Sequence, residues 1–350
     1  MPAGPSTLKE IAQQAGVSIM TVSRALRAHS EVSEATRKRI QQIADQMGYR
    51  PDARMSELMA YIRRKEKPQY SGTLAILRGC AKTGDEIPHY VTHDREIRSA
   101  HDCADALGYE IDEFGFPFDG SQDRRLASIL KARGITGLIV YPPPQPNHST
   151  QFDFSPFCPI AYGVNMKSPT LDRVIGNTQH AVQISINKLL ELGYRRIGMA
   201  LFDVTNVNRN YTYLPSYLLH QDRTNSPDKI PYIVYDDLGD RGYACFMRWV
   251  KKYRPEVVLS HDTVALEWLI MGGMKIPHEI AYVNLSLKET DRLPSAGTSE
   301  NPEEVGALLV DVTLSLLHSK FAGLRHPPRD IYSQATWHDG PTVRKKVSPK

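Results

Sequence analysis

TLKEIAQQAGVSIMTVSRAL (7–26) decides how the start of this chain folds. Thr7 and Glu10 have the spacing of a capping box, in which a hydroxyl and a carboxylate satisfy free backbone N–H groups. Leu8, Ile11, Ala12 and Ala15 then recur at helical spacing. Gly16 ends that helix, because it tolerates the positive φ of a C-terminal stop. Ser18 caps a second helix running to about Leu26, with Val22, Ala25 and Leu26 inward. Ser33 opens a third helix, with Ile40, Ile43, Ala44 and Met47 as its apolar stripe and Gly48 as its end.

Two helices joined by a tight turn containing Gly make a helix-turn-helix. The start of its second helix meets base edges in the major groove of DNA. Ile19, Met20, Thr21, Ser23 and Arg24 are the outward residues there. Arg24 can pair bidentately with guanine, and Ile19 and Met20 suit thymine methyls. Thr7, Ser18, Thr21, Ser33 and Thr36 place hydroxyls at helix starts, where phosphate oxygens bind. Charge agrees. Residues 1–67 hold 12 Lys/Arg against 7 Asp/Glu, while the remaining 283 residues hold 31 against 32. All the positive excess lies in the first fifth of the chain, which points to a polyanion partner there. The alternative is a purely structural helical bundle with a basic surface.

The segment TLKEIAQQAGVSIMTVSRALRAHSEVSEATRKRIQQIADQMGYRP (7–51) resembles the DNA-binding head of the LacI/GalR (lactose-repressor) family. The pattern AxxAGVSxxTVSRxL, VSxxTRxRI and GYxP is nearly complete, with Arg27 where the family usually has Asn. Leu8 joins the DNA-contact set that the resemblance implies. Pro51 breaks the helix after Arg50. ARMSELMAYIRRKEK (53–67) then reads as a hinge helix. In the resembling family such helices pair across a dimer and wedge a leucine into the minor groove. By position that leucine is Leu58, beside Met59. A linker helix with Leu58 packed on its twin is the alternative.

Beyond residue 72, strands and helices alternate. Strands are expected at 73–77, 109–116, 135–141, 159–164, 196–201, 232–236, 257–260, 280–285 and 331–336, and helices at 93–108, 122–134, 178–192 and 302–319. Repeated βαβ units imply parallel sheets covered on both faces. The expected fold class is therefore α/β: a small all-α helix-turn-helix head and hinge helix, followed by two doubly wound parallel-sheet subdomains. The expected divisions are a head at 1–50, a hinge and linker at 51–70, and an effector and dimerisation domain at 71–340. Within the last, subdomain one covers about 71–163 plus 292–325, and subdomain two about 164–291 plus 326–340.

This body resembles the family's effector domain, which is similar to periplasmic sugar-binding proteins. LLELGYRRIGMAL (189–201), SHDTVALEWL (260–269) and IAYVNL (280–285) carry that likeness. The resemblance implies a ligand between the subdomains. Arg209, in NVNRNYTY (206–213), matches the arginine that anchors ligand oxygens, and its planar fork suits a carboxylate, phosphate or vicinal diol. Tyr211 and Tyr213 offer stacking faces. His261 stands where Asn is usual, Ser286 where many members carry an Asp that grips sugar hydroxyls, and Gly163 near another polar contact. Asp262 reads as a helix cap.

Other signals are declined. Gly79 and Gly84 have P-loop glycine spacing, but Asp85-Glu86 follows where Lys and Ser/Thr are required. His89 and His93 stand at i,i+4, with His101 and Cys103 nearby, a spacing that could hold a metal on a helix, but His89 lies beside Pro88 in a loop. Asp236-Asp237 and Asp311 have no nucleophile or base in register. Neither a metal nor a cofactor is expected, and no enzyme. The four cysteines lie far apart and fit reduced cytosolic thiols. MPAGPSTLKEIAQQ lacks a secretory pattern, and no apolar run approaches a membrane span. VRKKVSPK (343–350) reads as a disordered basic end without the leucine heptads that tetramerise some family members, which favours a dimer.

The resemblance thus implies a cytoplasmic homodimer that binds near-palindromic operator DNA, most simply as a repressor, under a small carbohydrate-like effector. An activator of the same family, a solute-binding protein and a sugar-modifying enzyme with a DNA module are the alternatives. Arg24→Ala is expected to cost roughly 1–3 kcal/mol of DNA affinity and to relax one base position, read by competition between single-base operator variants. Uniform weakening on every sequence would make Arg24 a phosphate contact instead.

Overall fold

The computed structural model describes residues 8–18, 21–22, 25, 34–47, 70–80, 93–143, 148–225, 227–288, 291–319 and 322–346. Two compact units divide the chain, Met1–Gln69 and Tyr70–Lys350. Thr7, Ile19, Met20, Ser23, Arg24, Ser33 and Leu58, with the whole hinge, lie outside the described residues.

In the first unit, α1 (Leu8–Ala15) and α2 (Glu34–Gln46) pack together, and Thr21, Val22 and Ala25 between them are helical. Ile11, Ala12, Ala15, Val22, Ala25, Ile40 and Ala44 form one core, flanked by Val17, Ile43 and Met47. All of these except Val17 are residues whose spacing marked them as inward. Gly16 has φ +63°, the left-handed value a helix stop needs. Ser18 Oγ accepts from the Thr21 backbone N–H at 3.0 Å, so Ser18 caps the second helix. Arg39 donates to the Ala15 carbonyl at 2.8 Å, satisfying an end of α1 that no helical N–H reaches.

In the second unit, β1 (Gly72–Cys80), β2 (Tyr109–Pro117), β3 (Gly137–Tyr141), β5 (Cys158–Tyr162), β7 (Asp172–Gly176) and β13 (Asp330–Ser333) make one sheet. Its order is β13-β7-β5-β3-β1-β2, all parallel. A small ladder of β4 (His148–Ser149) and β6 (Met166–Ser168) stands beside it. The second sheet uses β8 (Ile197–Phe202), β9 (Ile233–Tyr235), β10 (Val257–Ser260), β11 (Ala281–Asn284), β12 (Ala296–Ser299) and β14 (Thr336–His338). Its order is β14-β12-β11-β10-β8-β9, with only β14 antiparallel among the described strands.

Parallel strands must be covered on both faces. On β1, Leu74 and Ile76 face α3 (Asp94–Ala106) and α10 (Pro302–His318), while Ala75 and Leu77 face α4 (Asp123–Ala132) and the Phe116, Phe152, Phe154 and Phe157 group. The second sheet is covered by α5 (Thr178–Glu191), α6 (Asp203–Asn208) and α7 (Leu214–Arg223), then α8 (Asp240–Tyr253) and α9 (Val264–Met271).

The fold class is as expected, but the chain changes sheets at different places. The crossings lie after Gly176, between Ser299 and Pro302, and at Gln334-Ala335. The expected positions, 163/164, 291/292 and 325/326, are therefore corrected. Strand β7 returns to the first sheet, so subdomain one runs to Gly176. The single strand expected at 331–336 is two strands, one per sheet. Residues 343–346 are also docked rather than loose: Tyr194 donates to the Arg344 carbonyl at 3.0 Å, and Lys346 N–H donates to Leu192 O at 2.9 Å.

Gly306 fixes how closely α10 meets α3, because a Cβ there would stand 2.1 Å from the Glu96 carbonyl oxygen. Gly306→Ala is expected to lower the stability of the larger unit by about 1–3 kcal/mol in urea unfolding. An unchanged midpoint would mean the two helices can separate freely.

Candidate ligand-binding site

The three crossings meet at the carboxyl ends of the strands of both sheets. Asn177 N–H donates to the Ser333 carbonyl at 2.9 Å, and the Asn301 amide donates to the Gln334 carbonyl at 2.7 Å. Thr336 donates to Asn301 Oδ1 at 2.8 Å, so each crossing is tied to another. Asn177 also caps α5, its side chain accepting from His180 N–H at 3.0 Å. Beside these ties opens a cavity of about 550 Å³. In open α/β sheets this edge is where ligands bind, and the size suits a small molecule.

One wall comes from subdomain one: His93, the first turn of α3 with Glu96, and Tyr162 at the end of β5. The opposite wall brings Thr205, Arg209 and Thr212 from around α6, and Ser286 to Lys288 after β11. Glu300, on the second crossing, stands between them. Arg209 donates to Glu300 Oε2 at 3.0 Å, and its side chain is 28% exposed against 12% for Glu300. Glu300 holds the Arg209 guanidinium well above its ordinary pKa. Gly176 makes the room, since a Cβ there would lie 2.3 Å from Glu300 Oε2.

Above this pair lies an aromatic and acidic corner. Tyr141 and Tyr162 stack with ring centroids 5.0 Å apart, and His93 packs on both. Burial, with Arg209 and Arg78 nearby, pushes His93 down to about 4, so the imidazole is neutral. Tyr162 donates to Glu96 Oε1 at 3.4 Å. Burial, reinforced by the charge of Glu300, pushes the Glu96 carboxyl up to about 7.

Of the residues singled out from sequence, Arg209 and Ser286 line the cavity, as does Gly163. Tyr213 and His261 lie outside the lining, fully and nearly fully buried, stacked at 5.8 Å in the core of the second sheet. His261 Nε2 meets Asp262 Oδ2 at 3.0 Å, and Asp262 accepts the N–H of Val264, the first residue of α9, at 3.0 Å, with Thr263 in the cap position. Tyr211 is 51% exposed, at φ +59°, and outside the lining as well. Sequence reasoning missed His93, Glu96, Tyr162 and Glu300. Some of the declined signals have structural roles, while Gly84, Asp85, Glu86 and His89 lie outside the described residues. Gly79 lets β1 pass Pro143, where a Cβ would stand 2.4 Å away. Asp237 accepts the Gly242 N–H at 2.9 Å. His101 meets Glu113 at 3.1 Å, and no metal-binding group of three occurs among the described residues.

A model of the bacterial regulatory proteins of the lacI family matches residues 7–52. That match covers the head of this chain. The transcriptional repressor PurR of Pectobacterium carotovorum subsp. carotovorum is 23% identical over 311 residues, 85% of this chain and 86% of that protein. The lac repressor dimer bound to operator and the anti-inducer ONPF has a TM-score of 0.53 at 17% identity, covering 97% of this chain and 99% of that one. The transcriptional regulator CelR in complex with cellobiose has a TM-score of 0.52 at 16% identity, covering 97% and 100%. At these identities the two structures establish the fold. No described helix is long and apolar enough to cross a membrane.

The buried acid of this site has a measurable signature. Between about pH 4.5 and 7 the folded chain keeps a proton on Glu96 that the unfolded chain has lost. This group's contribution to stability therefore falls as pH rises through that window. His93 acts oppositely between about 4 and 6.5, since unfolding lets it take up a proton. Comparing Glu96→Gln with the parent chain cancels the His93 part. The difference is expected to move in the variant's favour by about 3 kcal/mol between pH 4.5 and 8 in urea unfolding of the larger unit. A pH-independent difference would contradict a protonated Glu96.

Proposed function

We propose that this chain is a DNA-binding transcription regulator, acting as a repressor, whose operator affinity is set by a small ligand in the cavity beside Arg209. The observation that carries this reading is the cavity of about 550 Å³ at the joined carboxyl edges of two parallel sheets, in a chain whose head is a helix-turn-helix. The head supplies a basic surface, and Thr7, Leu8, Ser18, Ile19, Met20, Thr21, Ser23, Arg24, Ser33 and Thr36 form the proposed DNA contact set, with Leu58 as the minor-groove wedge. Its target is near-palindromic because a homodimer presents two heads related by a two-fold axis. The working compartment is the cytoplasm.

Arg209 and Ser286 are the proposed ligand contacts from the original set. A carbohydrate or carbohydrate derivative fits the lining, which combines hydroxyls, carboxylates and a tyrosine face. The cellobiose-bound regulator of the same fold supports a sugar, and the PurR relative supports repression. Ligand and operator would each change the affinity of the other by the same factor.

Two measurements on the full chain test the reading. Selection from a random duplex pool is expected to enrich a near-palindromic site, and failure to enrich any sequence would overturn DNA recognition. Thermal shift against mono- and disaccharides is expected to yield a ligand that adds about 2.7 kcal/mol at 100 times its Kd. Arg209→Lys, which keeps a charge for Glu300 but loses the planar fork, is expected to weaken that ligand. Unaltered binding would remove Arg209 from the contacts.

A further inference from the structure

We infer that the ligand of this cavity carries an ammonium group, seated between Glu96 and Glu300, so that the site selects aminated sugars or aminated polyols over their neutral and acidic counterparts. This inference rests on the ligand-binding role proposed above and names the chemistry of that same site.

Two oxygens carry the argument. Glu96 is 7% exposed and lines the cavity, and its Oε2 is buried without a hydrogen-bond partner. Glu300 spends Oε2 on Arg209, and its Oε1 is likewise buried without a partner. An ionised carboxylate offers only acceptors, so once Glu96 gives up its proton both oxygens call for a donor. Buried acceptors left without one are costly, and native structures rarely carry them.

The surrounding groups decide which donor. Arg209 already answers Glu300. His93, packed on Tyr141 and Tyr162, is neutral and supplies no charge. Arg78 pairs with Glu113 at 3.1 Å. Tyr162 offers Glu96 one neutral hydroxyl, and Tyr141 none. When Glu96 ionises, it and Glu300 therefore share the single buried charge of Arg209, and one negative charge is left over. At the mouth, Arg95 is held by Glu303 at 2.6 Å, Asp94 offsets part of the local charge, and Arg98 and Lys288 are exposed and screened by salt.

An ammonium has three donors and no acceptor, which matches two free carboxylate oxygens. It also supplies the missing charge. A carboxylate or phosphate in the same place would add a like charge beside two acids in a low-dielectric pocket. The upward push on Glu96 is what an acid awaiting a cation shows, and it links binding to pH. A cation that needs ionised Glu96 binds more tightly as pH rises through about 7.

The test uses matched sets on the full-length chain by calorimetry: glucosamine, glucose and glucuronate; galactosamine, galactose and galacturonate; and 1-amino-1-deoxysorbitol, sorbitol and gluconate. The amine of at least one set is expected to bind about tenfold or more tightly than its neutral member, with the acid weakest. For the aminohexitol, whose alkylammonium stays charged, affinity is expected to rise about tenfold from pH 6 to 8. Glu96→Gln is expected to remove both the amine preference and that rise. The pH series on the parent chain gives the answer even if the variant folds poorly. Preference for a neutral or acidic member, or binding by no amine in the panel, overturns the inference. If the unliganded chain still selects operator DNA in that event, the regulator reading stands and only the ligand class falls. If it selects none, the regulator reading falls on its own measurement.

Discussion

A parallel sheet tolerates water on neither face, and this constraint organises the larger unit. Each sheet needs helices above and below it, so each must be wound twice. Because the chain crosses between sheets three times, neither half is a continuous piece of sequence. α10 covers the first sheet although it follows β12 of the second, and β13 and β14 are consecutive but belong to different sheets. The short link between those two strands leaves no room for a helical crossover, and β14 accordingly runs antiparallel. The crossings end up side by side at the carboxyl edges, and the cavity is the space they frame.

That arrangement places an ion pair where the halves can sense each other. Arg209 belongs to the second sheet's half, Glu300 to a crossing and Glu96 to the first helix of the other half. Half-buried, the Arg209–Glu300 contact is stronger than a surface pair, and breaking it would strand Glu300 in a dry site. It leaves Glu96 without a cation of its own. The same groups thus hold the cavity's shape and define what it lacks.

In the described part of the head, the inward residues were legible from local spacing. Its apolar positions, its Gly16 stop and its Ser18 cap are local signals, decided within a few residues of themselves. The alternation of strands and helices was also legible, because buried strands such as GLIVY and VVLS are continuous apolar runs. The crossings were not. DRVIG of β7 carries Asp172 and Arg173, and AGTS of β12 is small and polar, so neither reads as a strand. Asp172 is buried because Arg329, through its backbone N–H and its guanidinium, and Arg325 reach it from far along the chain. Missing β7 displaced the first crossing, and the others moved with it.

The candidate site divides the same way. Arg209 and Ser286 were visible through a resemblance of local segments. Glu96 and Glu300 were not, because an acid in a helix's first turn and an acid before Pro302 are ordinary by themselves. Their meaning comes from the third dimension, where Gly176 admits Glu300 and the tyrosine pair dries the pocket around Glu96. Tyr213 and His261 show the converse. Their residue types suit a ligand, but packing seals them in the core of the second sheet.

The most direct test of the central claim is reciprocal titration. Once a ligand is in hand, its Kd is measured on the full-length chain alone and with saturating selected operator DNA, and the DNA's Kd is measured with and without ligand. The account predicts two shifts of equal factor, within roughly 5–150-fold. A ligand that fills the cavity yet leaves operator affinity unchanged would contradict it.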